Sequence, residues 1–162
     1  MQDAQMWLAK TYIMRKNSIA AGIILHQLKS DPALYKELQP EIPILQAYNH
    51  IRAEEYEDAI PYLEEALALR EVPNRRKARL AFVLGQLYSI QKNDVAAYDA
   101  FEKVSKLSPN YELEFFAKLN SAQKGMAAGK KSKDQLLDEL KDSPKTIKIR
   151  ITAPPSIIPW HW

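Results

Sequence analysis

The chain repeats itself with a period of 38 residues, and this repeat restricts the fold more than any other feature of the sequence. Small residues recur at this spacing in two columns, and mainly apolar residues recur in two more. The columns are Ala9, Ala47 and Gly85; Ala21, Ala59 and Ala97; Leu25, Leu63 and Phe101; and Leu28, Ala66 and Val104. Turn-like segments at 16–18, 54–56 and 92–94 keep the same register. A fixed period of this length is typical of proteins that stack one structural unit on the next.

Each unit is predicted to be a pair of α-helices. Apolar residues within a unit are three or four positions apart, as in Leu80, Val83 and Leu87. This spacing places them on one face of a helix, where they can pack against the partner helix. A polar turn separates the two helices of each pair, so the pairs are expected to be antiparallel.

Capping residues and prolines mark the predicted ends of the helices. The predicted N-caps are Ser18, Asp58 and Asp94. Prolines close the units at 31–32, 72–73 and 108–109, because the residue before proline is pushed out of the α region. Pro61 is expected in the first turn of its helix, where a missing N–H costs little.

These columns resemble the tetratricopeptide repeat family over roughly residues 2–128. The third unit matches the family pattern best, with Leu84, Gly85, Tyr88, Ala97, Phe101 and Pro109. The first unit offers Leu8, Ala9, Tyr12, Ala21 and Leu25. The second unit departs most, since Gln46 and His50 stand where the family has leucine and tyrosine. The resemblance implies an all-α fold, a right-handed α-solenoid of antiparallel helix pairs.

The repeat domain is predicted to cover residues 1–143. Its units are about 2–37, 40–73, 76–110 and 111–143. Residues 144–162 are predicted to form an irregular tail, with four prolines and no acidic residue. Three interpretations of the tail stay open: a peptide that docks back on the repeats, a disordered tail, or a truncated or out-of-frame end. The net charge of +3 arises entirely in this tail, because residues 1–144 contain twenty basic and twenty acidic side chains.

The segment 107–115 also resembles a narrower group, the tetratricopeptide lipoproteins of type IX secretion and gliding motility. In that group a Pro-x-Tyr-Glu segment enters the next helix, as Pro109, Tyr111 and Glu112 do here. The resemblance implies a component of an envelope complex, as a periplasm-facing outer-membrane lipoprotein. The first residues lack the basic start and apolar core of a signal peptide. No apolar run approaches the length that spans a bilayer, so direct membrane insertion is not expected.

The sequence lacks the patterns that carry common chemistry. It has no cysteine, four glycines, and three histidines without the spacing of a zinc motif. Neither a nucleophile elbow nor a glycine-rich phosphate loop occurs. Basic clusters at 75–77 and 130–133 fall in predicted connections without interleaved aromatic residues. We therefore expect no enzymatic activity, no cofactor, no metal site and no nucleic-acid partner.

Stacked helix pairs curve, and the first helices of successive units line a concave groove that suits a partner segment. The family resemblance implies partner-binding positions at Met6, Lys10, Met14, Tyr48, Arg52, Arg79, Phe82, Gln86, Asn120 and Lys124. The predicted function is therefore a non-catalytic scaffold that binds a protein or peptide. The alternative is an architectural fragment of a larger repeat protein, whose groove is filled by its own neighbouring region or by a second copy.

Overall fold

The computed structural model describes residues 1–107 and 111–141, and the regular structure of these residues is entirely α-helical. The described helices are α1 (Gln2–Met14), α2 (Ser18–Ser30), α3 (Glu41–Arg52), α4 (Tyr56–Ala68), α5 (Asn74–Ile90), α6 (Asp94–Leu107), α7 (Tyr111–Ala127) and α8 (Lys133–Lys141). The predicted all-α fold class is confirmed.

The chain divides into two compact units, Met1–Leu80 and Ala81–Trp162. Among the described helices, α1 packs against α2, α3 against α4, and α5 against α6. The helix α5 begins at Asn74, slightly before the predicted start of the third repeat at 76. The tail 144–162 and its three interpretations lie outside the described residues.

The core of the first unit is a cluster of apolar side chains between α1, α2 and α3. The buried members are Met6, Ala9, Ile13, Ala21, Leu25, Leu28, Ile42 and Leu45. The helix α3 packs against both α2 and α4. Members on α1 and α2 follow helical spacings of three and four, so each helix buries one continuous stripe.

The small residues of the repeated columns lie inside the helix pairs. Ala9, Ala21 and Ala59 are 0% exposed, and Ala97 on α6 is equally buried. A side chain that ends at Cβ lets two helix axes approach closely, since interaxial distance depends on the residues at the contact. The small residues of the two columns therefore permit close packing within a helix pair.

In the second unit, α5 and α6 meet around two aromatic rings. Phe82 and Phe101 pack edge to face with 5.5 Å between their centroids. A Cβ atom added to Gly85 would lie 2.7 Å from the ring of Phe101. Glycine is therefore required at this close approach. The helices α6 and α7 also pack together, and the buried hydroxyl of Ser121 donates a hydrogen bond to Glu102.

Three of the helix pairs are joined by turns of the same backbone geometry. Lys16, Glu54 and Lys92 have φ angles of 58°, 65° and 59°, in the left-handed region. The N–H groups of residues 17, 55 and 93, which follow these positions, donate to the carbonyl groups of residues 12, 50 and 88, each at 2.9 Å. These bonds define a Schellman motif, which satisfies carbonyls at the end of the first helix.

The predicted N-caps are wrong. Asn17 precedes α2, and its Oδ1 accepts from the N–H of Ala20 at 3.2 Å; Asn93 Oδ1 accepts from the N–H of Ala96 at 3.2 Å. The residue that follows the left-handed position, Asn17 or Asn93, therefore occupies the N-cap position. Ser18 and Asp94 are instead the first residues of their helices. In α4, Asp58 is the third residue and Pro61 the sixth, so Pro61 lies beyond the first turn.

Candidate partner-binding surface

Charged side chains of three helices meet at Glu41, the first residue of α3. Its carboxylate accepts hydrogen bonds from both terminal nitrogens of Arg76 on α5, with 2.9 Å between Arg76 Nη2 and Glu41 Oε2. Lys10 Nζ on α1 lies 3.9 Å from Glu41 Oε2. One carboxylate therefore lies against two cations, Arg76 and Lys10.

Lys10 is also held by an aromatic ring. Its Nζ lies 5.1 Å from the centroid of Trp7, within the range of a cation–π contact. The side chain of Lys10 is 18% exposed. The ammonium group of Lys10 is thus positioned near both an indole ring and a carboxylate.

The ends of α1 and α3 are connected by Arg52 and Met14. Arg52 Nη2 donates a hydrogen bond to the backbone carbonyl of Met14 at 3.3 Å. A cation at this point also interacts favourably with the C-terminal end of the α1 dipole. Met14 is 62% exposed, so the residue that accepts this hydrogen bond also presents an apolar side chain to the surface.

Four predicted groove residues therefore fall on neighbouring parts of α1 and α3. Lys10 and Met14 are one turn apart on α1, which places them on the same helix face. Tyr48 is half-buried and packs with its ring against the core cluster of the first unit. We call the set Lys10, Met14, Tyr48 and Arg52 the α1–α3 surface.

Two of the predicted groove residues belong to the hydrophobic core. Met6 is 3% exposed, and it continues the buried stripe of Ala9 and Ile13 at helical spacing. Phe82 is 1% exposed because its ring packs against Phe101. In the described chain neither side chain offers an accessible contact to a partner.

The remaining predicted groove residues have different surroundings. Arg79 on α5 is exposed, whereas Gln86 is half-buried and its Oε1 has no hydrogen-bond partner among the described residues. Asn120 donates to the carbonyl of Phe116 in its own helix at 2.8 Å. Lys124 donates to Asp94 at 2.8 Å and so joins α7 to α6. Because Met6 and Phe82 are buried, the predicted groove cannot contain all ten residues; a single groove that contains the other eight stays a prediction.

Three residues near the α1–α3 surface are not among the predicted positions: Trp7, Glu41 and Arg76. Trp7 is three positions before Lys10, and this helical spacing was a usable signal for their contact. Glu41 and Arg76 are 35 residues apart, so only the packing of their helices brings them together.

The basic clusters are engaged in ion pairs within the chain. Lys130 donates to Asp99 at 2.8 Å, and Lys131 donates to Glu102 at 3.3 Å. Both lysines also lie over the ring of Tyr98, at 5.1 and 5.3 Å from its centroid. These contacts tie the segment after α7 to α6 and give the two lysines a structural role.

An open cavity of about 610 Å³ lies elsewhere in the first unit, between the connection after α2 and the ends of α3 and α4. Its lining mixes apolar residues such as Leu34 and Ile42 with charged ones, including Lys29 and Glu65, which form an ion pair at 3.3 Å. None of the predicted groove residues lines this cavity.

No protein-family model matches the chain, and no curated protein is significantly similar to it. The membership in the tetratricopeptide family therefore stays a prediction from the residues quoted above. Among the described residues, no helix combines the length and the apolar character needed to cross a membrane.

Proposed function

We propose that the chain is a non-catalytic helical-repeat scaffold that binds a segment of a protein partner on the α1–α3 surface. The architecture that we propose is a right-handed solenoid of tetratricopeptide-like pairs with a period of 38 residues. The envelope secretion and gliding complex implied by the narrower resemblance is the proposed setting.

The helix ends support this period. The first helices of three pairs end at Met14, Arg52 and Ile90, and the second helices begin at Ser18, Tyr56 and Asp94. Successive members of each series are 38 residues apart. The left-handed residues of the turns follow the same offset, so backbone geometry and sequence columns agree.

The single observation that carries the binding proposal is the composition of the α1–α3 surface. Arg52 donates a hydrogen bond to the backbone carbonyl of Met14, whose apolar side chain is exposed, and Lys10 lies one turn before Met14 on α1. Apolar contact supplies binding energy, while two cations select the charge of the partner. A segment that carries both apolar side chains and carboxylates is the complementary ligand.

A peptide selection followed by affinity measurements tests this proposal. Peptides are selected from a random phage library on the full chain, and fluorescence anisotropy then gives their dissociation constants. We expect acidic and apolar sequences to be enriched. Lys10→Glu combined with Arg52→Glu should weaken their binding about tenfold or more, because two attractive charges become repulsive.

The matched control is Lys103→Glu combined with Lys106→Glu, which makes the same charge change at exposed positions of α6. Lys10→Gln combined with Arg52→Gln gives a milder variant if the charge reversal perturbs folding, which circular dichroism reports. Equal weakening by the control, or unchanged binding by both α1–α3 variants, would contradict the proposal.

A second candidate function is self-association through α1. Trp7 is 67% exposed, whereas Leu45 and Val83, at the same repeat offset on α3 and α5, are 0% and 2% exposed. A second copy that covers Trp7 would bury a large aromatic side chain. Light scattering after gel filtration tests this candidate: a dimer that Trp7→Ala converts to a monomer supports it, and a wild-type monomer contradicts it.

A further inference from the structure

We propose that the turn between α3 and α4 is a binding site for a transition-metal dication of the zinc type. The proposed ligands are His50, Glu55 and Asp58, whose donor atoms all lie within 4.8 Å of one another. His50 Nδ1 is 2.7 Å from Glu55 Oε2. The expectation of no metal site rests on motifs within one helix, whereas this set spans the end of α3 and the start of α4.

The backbone holds these three residues close together. The N–H of Glu55 donates to the carbonyl of His50 at 2.9 Å, and the left-handed Glu54 reverses the chain between them. Asp58 follows as the third residue of α4, in the turn nearest to His50. The ligand positions are therefore set by the Schellman motif and the start of the helix.

The imidazole ring is oriented by an aromatic neighbour. His50 stacks on Tyr62 with 5.4 Å between the ring centroids and 8° between the planes. This contact leaves the His50 Nδ1 atom directed at Glu55. A ring that is already oriented loses little further freedom when it binds a metal, which favours affinity.

Comparison with the other two turns of the same backbone geometry gives independent support. In those turns the corresponding residues are Tyr12 with Asn17 and Tyr88 with Asn93. Both asparagines cap the following helix through their side chains.

In the turn between α3 and α4, both positions differ from those of the other two turns. The residues there, His50 and Glu55, contact each other. Glu55 stands at the N-cap position of α4, yet its side chain makes no capping hydrogen bond. Its carboxylate contacts His50 instead. The middle turn thus lacks a side-chain cap and has a carboxylate and an imidazole in contact, which are two ligands of the type that zinc binds.

The donor set selects the class of ion. Zinc binds imidazole nitrogen at about 2.0–2.1 Å and carboxylate oxygen at about 2.0–2.2 Å, and three protein ligands with one water complete a tetrahedron. Magnesium and calcium prefer all-oxygen sites, so the nitrogen donor of His50 favours zinc, copper or nickel. Four of the five residues from 54 to 58 are acidic, and their negative potential attracts a dication.

Titration calorimetry of the full chain with zinc chloride tests the proposal. We expect one zinc ion per chain, and magnesium chloride should give no comparable binding. His50→Ala and Asp58→Asn should each lower the zinc affinity by about tenfold or more, since each removes one of three ligands. Asp58 is exposed, so Asp58→Asn decides the outcome if His50→Ala does not fold.

The chain has three histidines, which provides a matched control. His26→Ala combined with His161→Ala removes the other two and should keep the affinity of the wild type. Zinc binding that survives both His50→Ala and Asp58→Asn, or that disappears in the control, would overturn the proposal.

Discussion

The turns α1–α2 and α3–α4 have the same backbone and different side-chain chemistry. Each has a left-handed residue, Lys16 or Glu54, followed by the same hydrogen bond of 2.9 Å to the carbonyl five residues back. In the first turn Asn17 caps α2, whereas in the second Glu55 contacts His50. Backbone hydrogen bonds therefore define the turn, and its side chains can differ without a change of fold.

The largest effect is expected from the proline that distinguishes α4 from α2. Pro61 is the sixth residue of α4, whereas Ile23 occupies the same repeat offset in α2. Pro61→Ala restores an N–H and removes a clash with the preceding turn. It should raise the free energy of unfolding by about 2 kcal/mol, as measured by urea denaturation. An unchanged or lower stability would show that the helix is already adapted to proline.

The second prediction breaks the close approach of α5 and α6. Gly85→Ala puts a methyl group against the ring of Phe101 and should destabilise the chain by about 1–2 kcal/mol. The first two repeats have alanine and leucine at these positions, as in Ala9 with Leu25. Phe101→Leu should therefore restore part of the stability lost in Gly85→Ala.

The control is Gly22→Ala, whose new Cβ would meet only Asn49 Nδ2 at an ordinary distance of 3.7 Å. It should stabilise α2 by about 0.5–1 kcal/mol through helix propensity. A double-mutant cycle in urea measures the coupling between positions 85 and 101. Strict additivity would contradict the steric explanation.

The third prediction compares the caps of the turns. Asn17→Ala and Asn93→Ala should each cost about 1 kcal/mol, because each removes a side-chain bond to the helix. Glu55→Ala should cost less than about 0.5 kcal/mol, since Glu55 forms no such bond and its pair with His50 is partly exposed. Thermal unfolding of the three variants ranks them; an equal loss for Glu55→Ala would remove the distinction between the turns.

The smallest effect is expected at the left-handed residues themselves. Lys16→Gly and Glu54→Gly relieve a conformation that disfavours side chains and should each stabilise by about 0.5 kcal/mol. Because the two φ angles are nearly the same, the two gains should agree within the error of the midpoints in urea. Gains that differ clearly would indicate that the side chains of the two turns contribute unequally.

The helices were predictable from the sequence, and contacts between distant residues were not. The spacing of three and four positions in runs such as Leu80, Val83 and Leu87 locates α5, because it is a local property of the chain. The contact of Glu41 with Lys10 and Arg76 depends on how whole helices pack. The pairing of His50 with Glu55 depends on a left-handed turn that the residue type Glu54 does not signal.

The same limit explains the predicted groove. Lys10, Met14 and Arg52 lie on the α1–α3 surface, but Met6, three positions before Ala9, continues the buried stripe of α1. The repeat register gives the position of a residue along its helix. It does not distinguish a surface side chain from a buried one at the edge of a helix face. Burial has to come from the structure.

Chemical-shift mapping by NMR tests the central proposal most directly. The full chain, labelled with ¹⁵N, is titrated with the tightest acidic peptide from the phage selection. We expect the largest amide shifts on the α1–α3 surface, around Lys10, Met14 and Arg52, and small shifts on α2 and α4. Largest shifts on α2 and α4, with the α1–α3 surface unchanged, would contradict it.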